Sequence, residues 1–174
     1  MPASEDPEVF ATPIVLGVVA DTHLTAKPRP LLEPLVEGLR NVDLILHAGD
    51  INTPEVLRLF EALAPVRAVV GNNDVAELQC TLPRVRRFQF GRFSAGLMHG
   101  HDVDGLTAHQ AVVRELAGKV DLAIFGHSHR SLRGSEHGTV LFNPGSPTQR
   151  RWEPRASFGI IRIDDSVHPE LRFF

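Results

Sequence analysis

The sequence predicts an α/β fold of mixed β-sheets flanked by helices, and three observations predict it. The first half repeats an order of apolar strand, polar turn and helix. Its early strands are nearly unbroken apolar runs, as expected of strands buried on both faces. From Val85 onward a hairpin pattern takes over, with two apolar stretches separated only by Gly91-Arg92, which adds antiparallel pairing. With 174 residues, 43% of them hydrophobic and 22% charged, the chain is long enough to bury one sizeable core. No repeat, low-complexity block or long Pro/Gly/Ser linker divides it, so residues 1–12 are expected to be a flexible tail and residues 13–174 a single domain.

Taken in order, Ile14 to Ala20 reads as a central parallel strand. Leu35 to Leu39 suits a short helix after the Pro-rich stretch Pro28 to Pro34, and Leu44 to His47 is the second strand. Thr53-Pro54-Glu55 opens the next helix, with Thr as N-cap, Pro at the first helical position and an acid in the first turn. Val56, Leu57, Leu59, Phe60 and Leu63 then recur at helical spacing. Val66 to Val70 is the third strand; Val85 to Phe90 and Phe93 to Met98 are the hairpin. A helix is expected over Thr107 to Ala117, a buried strand over Leu122 to Phe125, and short β segments at Val140 to Asn143, Phe158 to Ile163 and Leu171 to Phe173.

Composition narrows the function classes. Cys80 is the lone cysteine, so no intramolecular disulfide forms and nothing points to an oxidising compartment. Met1 to Pro7 is polar and acidic, without the basic then apolar run of a secretory signal, so a cytoplasmic location is expected. No apolar stretch approaches the ~20 residues of a membrane span. A net charge of −3 gives no general pull towards nucleic acid, and no basic stripe is interleaved with aromatics. A nuclease acting on anything beyond short oligonucleotides or nucleotides is therefore disfavoured.

In α/β sheets, ligands gather at the carboxyl ends of strands. Here those positions hold Asp21-Thr22-His23, Gly49-Asp50, Gly71-Asn72-Asn73-Asp74, His99-Gly100-His101 and Gly126-His127-Ser128-His129. One such group is ordinary turn chemistry. Five successive strand ends that each present Asp, Asn or His beside a small residue are not, because turns would use Ser, Pro and Lys as freely. An imidazole and oxygen set without thiolate suits first-row divalent cations. Two such ions about 3.5–4 Å apart are bridged by one carboxylate and one hydroxide, and Asp50, central in the sequence, is the natural bridge. Gly49, Gly71, Gly100 and Gly126 remove Cβ atoms where the backbone turns beside a crowded cluster.

The ordered set Asp-x-His, Gly-Asp, Gly-Asn-x-Asp, His-Gly-His and Gly-His-Ser-His spans Asp21 to His129, and with Asn143-Pro144-Gly145-Ser146 it resembles the calcineurin-like metallophosphoesterases, specifically their small bacterial and archaeal phosphodiesterase branch. The resemblance implies a four-layer α/β/β/α sandwich of two facing mixed sheets between helices. It assigns Asp21, His23, Asp50 and His129 to one ion and Asp50, Asn72, His99 and His127 to the other. The cofactors it implies are two divalent ions, manganese foremost, with Fe, Zn, Ni or Co as alternatives. A hydroxide shared by the ions would attack phosphorus in line, with Asn72 and the ions stabilising phosphoryl charge. Many relatives carry His after the Gly-Asn pair as general acid, whereas this chain has Asn73. That departure favours substrates with good leaving groups, or a different acid such as His101, which could equally orient a neighbour.

Asn73 and Arg150 are candidate substrate contacts, and Arg130, Arg133 and Arg151 lie near the same loops. Trp152 could stack on a base or aryl group, but core packing is the expectation. His47 is expected to be buried, His109, His137 and His168 to lie at the surface, and Asp74 to anchor the loop after Asn72. Two functions stay open: hydrolysis of phosphodiesters or related small phosphate esters, and a non-catalytic metal-binding interaction scaffold of the same fold, as in the retromer sorting subunit. The seven intact donors favour hydrolysis. A homo-oligomer is compatible with the sequence, and no membrane partner is expected.

Overall fold

The apolar runs become interior strands of two sheets in the computed structural model, which describes residues 6–24, 30–101 and 105–174. The elements are β1 (Glu8–Phe10), β2 (Ile14–Val19), α1 (Glu33–Leu39), β3 (Leu44–His47), α2 (Pro54–Glu61), β4 (Val66–Ala68), α3 (Ala76–Thr81) and β5 (Val85–Phe90). There follow β6 (Phe93–Met98), α4 (Ala108–Leu116), β7 (Leu122–Phe125), β8 (Ser131–Glu136), β9 (Thr139–Pro144), β10 (Ser157–Ile163) and β11 (Val167–Phe173). One sheet has the order β11-β10-β2-β3-β4 and the other β1-β5-β6-β7-β9-β8. Both are mixed: β2-β3-β4 and β6-β7-β9 run parallel, while the outer partners β10 and β5 run antiparallel to them.

The inner faces supply the main core. Leu16, Val18, Leu44, Leu46 and Ile161 of one sheet meet Phe88, Phe90, Leu97, Leu122, Ile124 and Phe142 of the other. Burying each such side chain contributes roughly 1.5–3 kcal/mol. The sheets interlock at Gly159, where a Cβ would stand 2.3 Å from the Phe142 ring. Outside the first sheet, Val19 and Ile45 pack against Leu35 and Leu39 of α1, Val56 and Phe60 of α2 and Leu78 of α3. Outside the second, Met98, Ala123 and Phe125 pack against Ala108, Ala111, Val112 and Leu116 of α4. The result is the four-layer α/β/β/α sandwich.

Register sets the functional edge. Val19 lies opposite His47, and His47 opposite Ala68, so β2, β3 and β4 stop level with one another. Met98 lies opposite Phe125, so β6 and β7 also stop together. The loops that follow all five strands therefore emerge along one rim.

Several boundaries differ from expectation. Residues 8–10, expected in the tail, form β1 parallel to β5. Phe10 stacks on Phe90 with centroids 5.4 Å apart, and Glu8 accepts from Arg67 Nε at 2.8 Å and Nη2 at 2.6 Å, so side-chain burial and an ion pair hold the segment down. The third strand ends at Ala68 rather than Val70, while α3 and β8 were not anticipated. Trp152, expected in the core, is 94% exposed, because the loop that carries it turns outward before β10 begins.

Candidate metal centre

At this rim the backbone takes an unusual form. Asp21 (φ 53°), His23 (41°), Asp50 (55°), His127 (69°) and His129 (57°) all adopt left-handed conformations. Each such non-glycine residue costs about 1–3 kcal/mol and persists only where its surroundings over-determine it. Five together mark loops shaped to aim side chains. Gly71 shows how crowded the rim is: a Cβ there would lie 2.1 Å from the Asp50 backbone nitrogen and 2.2 Å from Asp50 Oδ1, so only glycine lets the Asn72 loop pass.

The aimed side chains form two groups sharing one residue. Asp21, His23, Asp50 and His129 bring one ligand atom each to within 4.8 Å of one another, and so do Asp50, His99 and His127. Asp50 faces both ways: its Oδ2 lies 3.3 Å from His23 Nε2 and its Oδ1 3.4 Å from His99 Nε2. In the first group His23 Nε2 and His129 Nε2 stand 3.1 Å apart, and His129 Nε2 is 3.6 Å from Asp21 Oδ1. In the second, Asn72 Oδ1 lies 3.2 Å from His99 Nε2.

Surrounding contacts fix the orientation of these donors. His99 Nδ1 donates to Ala48 O at 2.7 Å and His129 Nδ1 donates to Gln149 O at 2.5 Å. A carbonyl only accepts, so each ring donates from Nδ1 and turns its Nε2 to the cluster. Asn73 donates its backbone N–H to Asp50 Oδ1 (2.9 Å) and its side-chain amide to Oδ2 (2.7 Å). Asp74 accepts from the backbone N–H groups of Ile51, Asn52 and Gly71, each at 2.7 Å, and so ties the Asp50 and Asn72 loops together.

The electrostatics suit a cation. Burial pushes the Asp21 carboxyl up to about 7 against the pull of His99, and its buried Oδ2 has no hydrogen-bond partner. At Asp50 burial acts upward too, but hydrogen bonds from His99 and Asn73 outweigh it and hold the carboxyl well below the usual range. Burial lowers His23 and His127, and takes His129 down to about 4, so these rings are neutral lone-pair donors. His99 is raised, since the Asp50 hydrogen bond and the Asp21 and Asp50 charges overcome its burial. An orphaned carboxylate oxygen, neutral imidazoles and an amide oxygen, with no thiolate, make a donor set that fits first-row divalent ions.

The structure sorts the remaining sequence candidates. His101 belongs to neither donor group among the described residues, but sits beside the second, its ring 5.1 Å from that of His99 and 6.3 Å from that of His127. Arg150 is not brought to the donors: its Nη1 donates to Glu153 O (3.0 Å) and Pro154 O (2.9 Å), closing its own loop. Arg130 faces Glu153 at 3.8 Å and Arg133 donates to Pro169 O at 3.2 Å. His47 is fully buried, and the side chains of His109, His137 and His168 are exposed.

Sequence reasoning missed the braces. Ser146 Oγ donates to Asp21 O (2.8 Å), Thr148 Oγ1 to Thr22 O (2.6 Å), and Asn143 Nδ2 to Gly126 O (3.0 Å). The Asn-Pro-Gly-Ser run was the available signal, because hydrogen-bonding side chains around a glycine at φ 72° bind neighbouring loops together.

Comparison with known proteins agrees with this fold. An archaeal phosphodiesterase superposes with a TM-score of 0.73 at 20% identity, covering 92% of this chain and 100% of its own. Wild-type Vps29 of Entamoeba histolytica, solved in complex with zinc, gives 0.72 at 24% identity, covering 92% and 99%. At those identities the likeness concerns the fold. A probable metallophosphoesterase of Methanothermobacter thermautotrophicus is 37% identical over 152 residues, 87% of each chain. The calcineurin-like phosphoesterase superfamily domain matches residues 14–166, a span that takes in both donor groups and nearly every strand, and the chain therefore belongs to that superfamily.

Proposed function

We propose that this protein hydrolyses phosphodiester or related phosphate ester bonds with the help of two divalent cations, manganese foremost. One observation carries the reading: Asp50 belongs to both donor groups and turns a different oxygen to each. Asp21, His23, Asp50 and His129 would hold one ion, and Asp50, Asn72, His99 and His127 the other. When bound, such a pair lowers the pKa of water and neutralises phosphoryl charge.

The chain's own residues do the rest. Asn73 pins both Asp50 oxygens, which makes it a positioning residue rather than the substrate contact its sequence position suggests. Ala48 O and Gln149 O hold the His99 and His129 rings. Asn72 turns its amide oxygen to the second group, which leaves its amide nitrogen to donate to a phosphoryl oxygen. His101, beside that group, supplies the proton for the departing oxygen, a role Asn73 has no titrating proton to fill. The substrate is a small phosphate ester, and the lone free Cys80 accords with action in the cytoplasm.

The test is hydrolysis of bis(4-nitrophenyl) phosphate by purified protein with added Mn²⁺. Turnover is expected, with kcat lowered about a hundredfold or more in Asp50→Asn. His101→Ala should lose far more on an alkyl ester than on the nitrophenyl ester, whose leaving group needs no proton. The fold shared with Vps29 supports a second reading, a metal-holding interaction scaffold. The zinc in that Vps29 structure means metal binding alone does not separate the two. Protein that binds metal yet stays inert with Mn, Ni, Co and Zn would establish the scaffold.

A further inference from the structure

Beyond Ser146 the chain runs past the donors into a turn rich in positive charge. Glu153 N–H donates to Arg150 O at 2.9 Å, which closes a four-residue turn with Arg151 and Trp152 at its tip. Arg151 holds φ 49°, a conformation that turns normally give to Gly, Asn or Asp. The turn is fastened to the metal centre. Gln149 accepts from His129 Nδ1 through its carbonyl at 2.5 Å, its own N–H donates to Ser146 Oγ at 2.8 Å, and Ser146 Oγ donates to Asp21 O at 2.8 Å.

The arginines of this corner divide clearly. Arg150 spends its guanidinium on loop carbonyls, Arg130 faces Glu153, and Arg155 lies 4.9 Å over the Phe173 ring. Arg151 alone of the four has no hydrogen bond, ion pair or ring contact among the described residues, although its charge is felt at Asp21, His23, His127 and His129. Beside it Trp152 is 94% exposed, where an indole ordinarily gains by burial. An uncommitted guanidinium next to a bare indole, on a strained turn tied to the donors, has the composition of a binding element.

We propose that the Arg151-Trp152 turn recognises the substrate: Arg151 pairs with a nonbridging phosphate oxygen, and Trp152 stacks on an aromatic ring of the ester, a nucleobase or an aryl group. This rests on the phosphoesterase reading and narrows its substrates to aromatic phosphate esters. Alkyl esters keep the Arg151 contact and lose the stacking.

Trp152 is the chain's single tryptophan, so intrinsic emission reports on it alone. The manganese-loaded protein is titrated with AMP, phenyl phosphate, glycerol phosphate and inorganic phosphate, with calorimetry in parallel. AMP or phenyl phosphate should quench the emission and bind about tenfold more tightly than glycerol phosphate; whichever binds better identifies nucleoside or aryl esters. Arg151→Ala should weaken all four about tenfold with metal content unchanged, and Trp152→Ala only the aromatic pair. Unmoved emission at saturating AMP and phenyl phosphate, or undiminished phosphate binding by Arg151→Ala, overturns the proposal. These readouts need no turnover. An inert protein that still binds AMP through Trp152 sinks the hydrolase reading alone, whereas an active enzyme whose two variants keep the wild-type KM sinks the recognition reading alone.

Discussion

His47 is enclosed completely, its Nε2 3.1 Å from Thr22 Oγ1 and its ring edge-on to Phe60 at 5.5 Å. Burial drives its pKa down to about 3 from 6.5. The folded state thus refuses a proton that the unfolded chain accepts, so the stability from this residue is complete above about 6.5 and drains away as pH falls towards 3. By pH 5 the loss is about 2 kcal/mol. Urea unfolding of wild type and His47→Gln at pH 7 and pH 5 isolates it: the wild type should lose about 2 kcal/mol more than the variant over that interval. At this scale the sequence was informative where chemistry repeats. Asp21, His23, Asp50, His99, His127 and His129 could be picked out because each follows an apolar run, and His47 because it lies inside one. Arg150 and Arg151 could not be told apart, since neighbours in sequence differ only in which carbonyls the folded loop offers them. Trp152 misled because hydrophobicity argues for burial unless the path of the loop is known.

Among the elements, α4 deserves its own measurement because it follows the His99-Gly100-His101 loop. Thr107 Oγ1 accepts from Gln110 N–H at 3.2 Å and Gln110 Oε1 accepts from Thr107 N–H at 2.9 Å, a reciprocal capping box. Thr107→Ala should cost about 1 kcal/mol in chemical denaturation, without altering the spectrum of the folded protein. The strands Leu44–His47, Val85–Phe90, Phe93–Met98 and Leu122–Phe125 stand where the apolar runs put them. Elements that escaped notice lack such runs. β8 exposes Arg133, Gly134 and Ser135 and is made by backbone pairing to β9, a partner the local pattern does not reveal. The six-residue α3 follows turn formers and buries only Leu78, too little for a period to emerge. β1 depends on a strand some 80 residues away.

Across the whole molecule, the donors come from both layers: Asp21, Asp50 and Asn72 follow strands of the five-stranded sheet, and His99, His127 and His129 follow strands of the six-stranded one. Ions held there would fasten one sheet to the other. Manganese at a hundred times its dissociation constant should raise the melting temperature by roughly 5–10 °C, as about 2.7 kcal/mol of linkage implies. Chelation should reverse the rise and Asp50→Asn should suppress most of it, as differential scanning calorimetry would show. The division into two sheets was not in the periodicity, because parallel pairing of β7 with β9 and of β6 with β7 leaves no mark on either strand; it came with the motif order.

The left-handed backbone at the rim sets thermodynamics against chemistry. At Asp21, His23, Asp50, His127 and His129 the conformation is one that glycine enters freely. Folding alone would choose a residue with no side chain at five places where the donor groups present an oxygen or a nitrogen, so chance replacement of one of them by glycine relaxes the main chain as it removes that atom from the cluster. Robustness and reactivity are opposed at the same five positions.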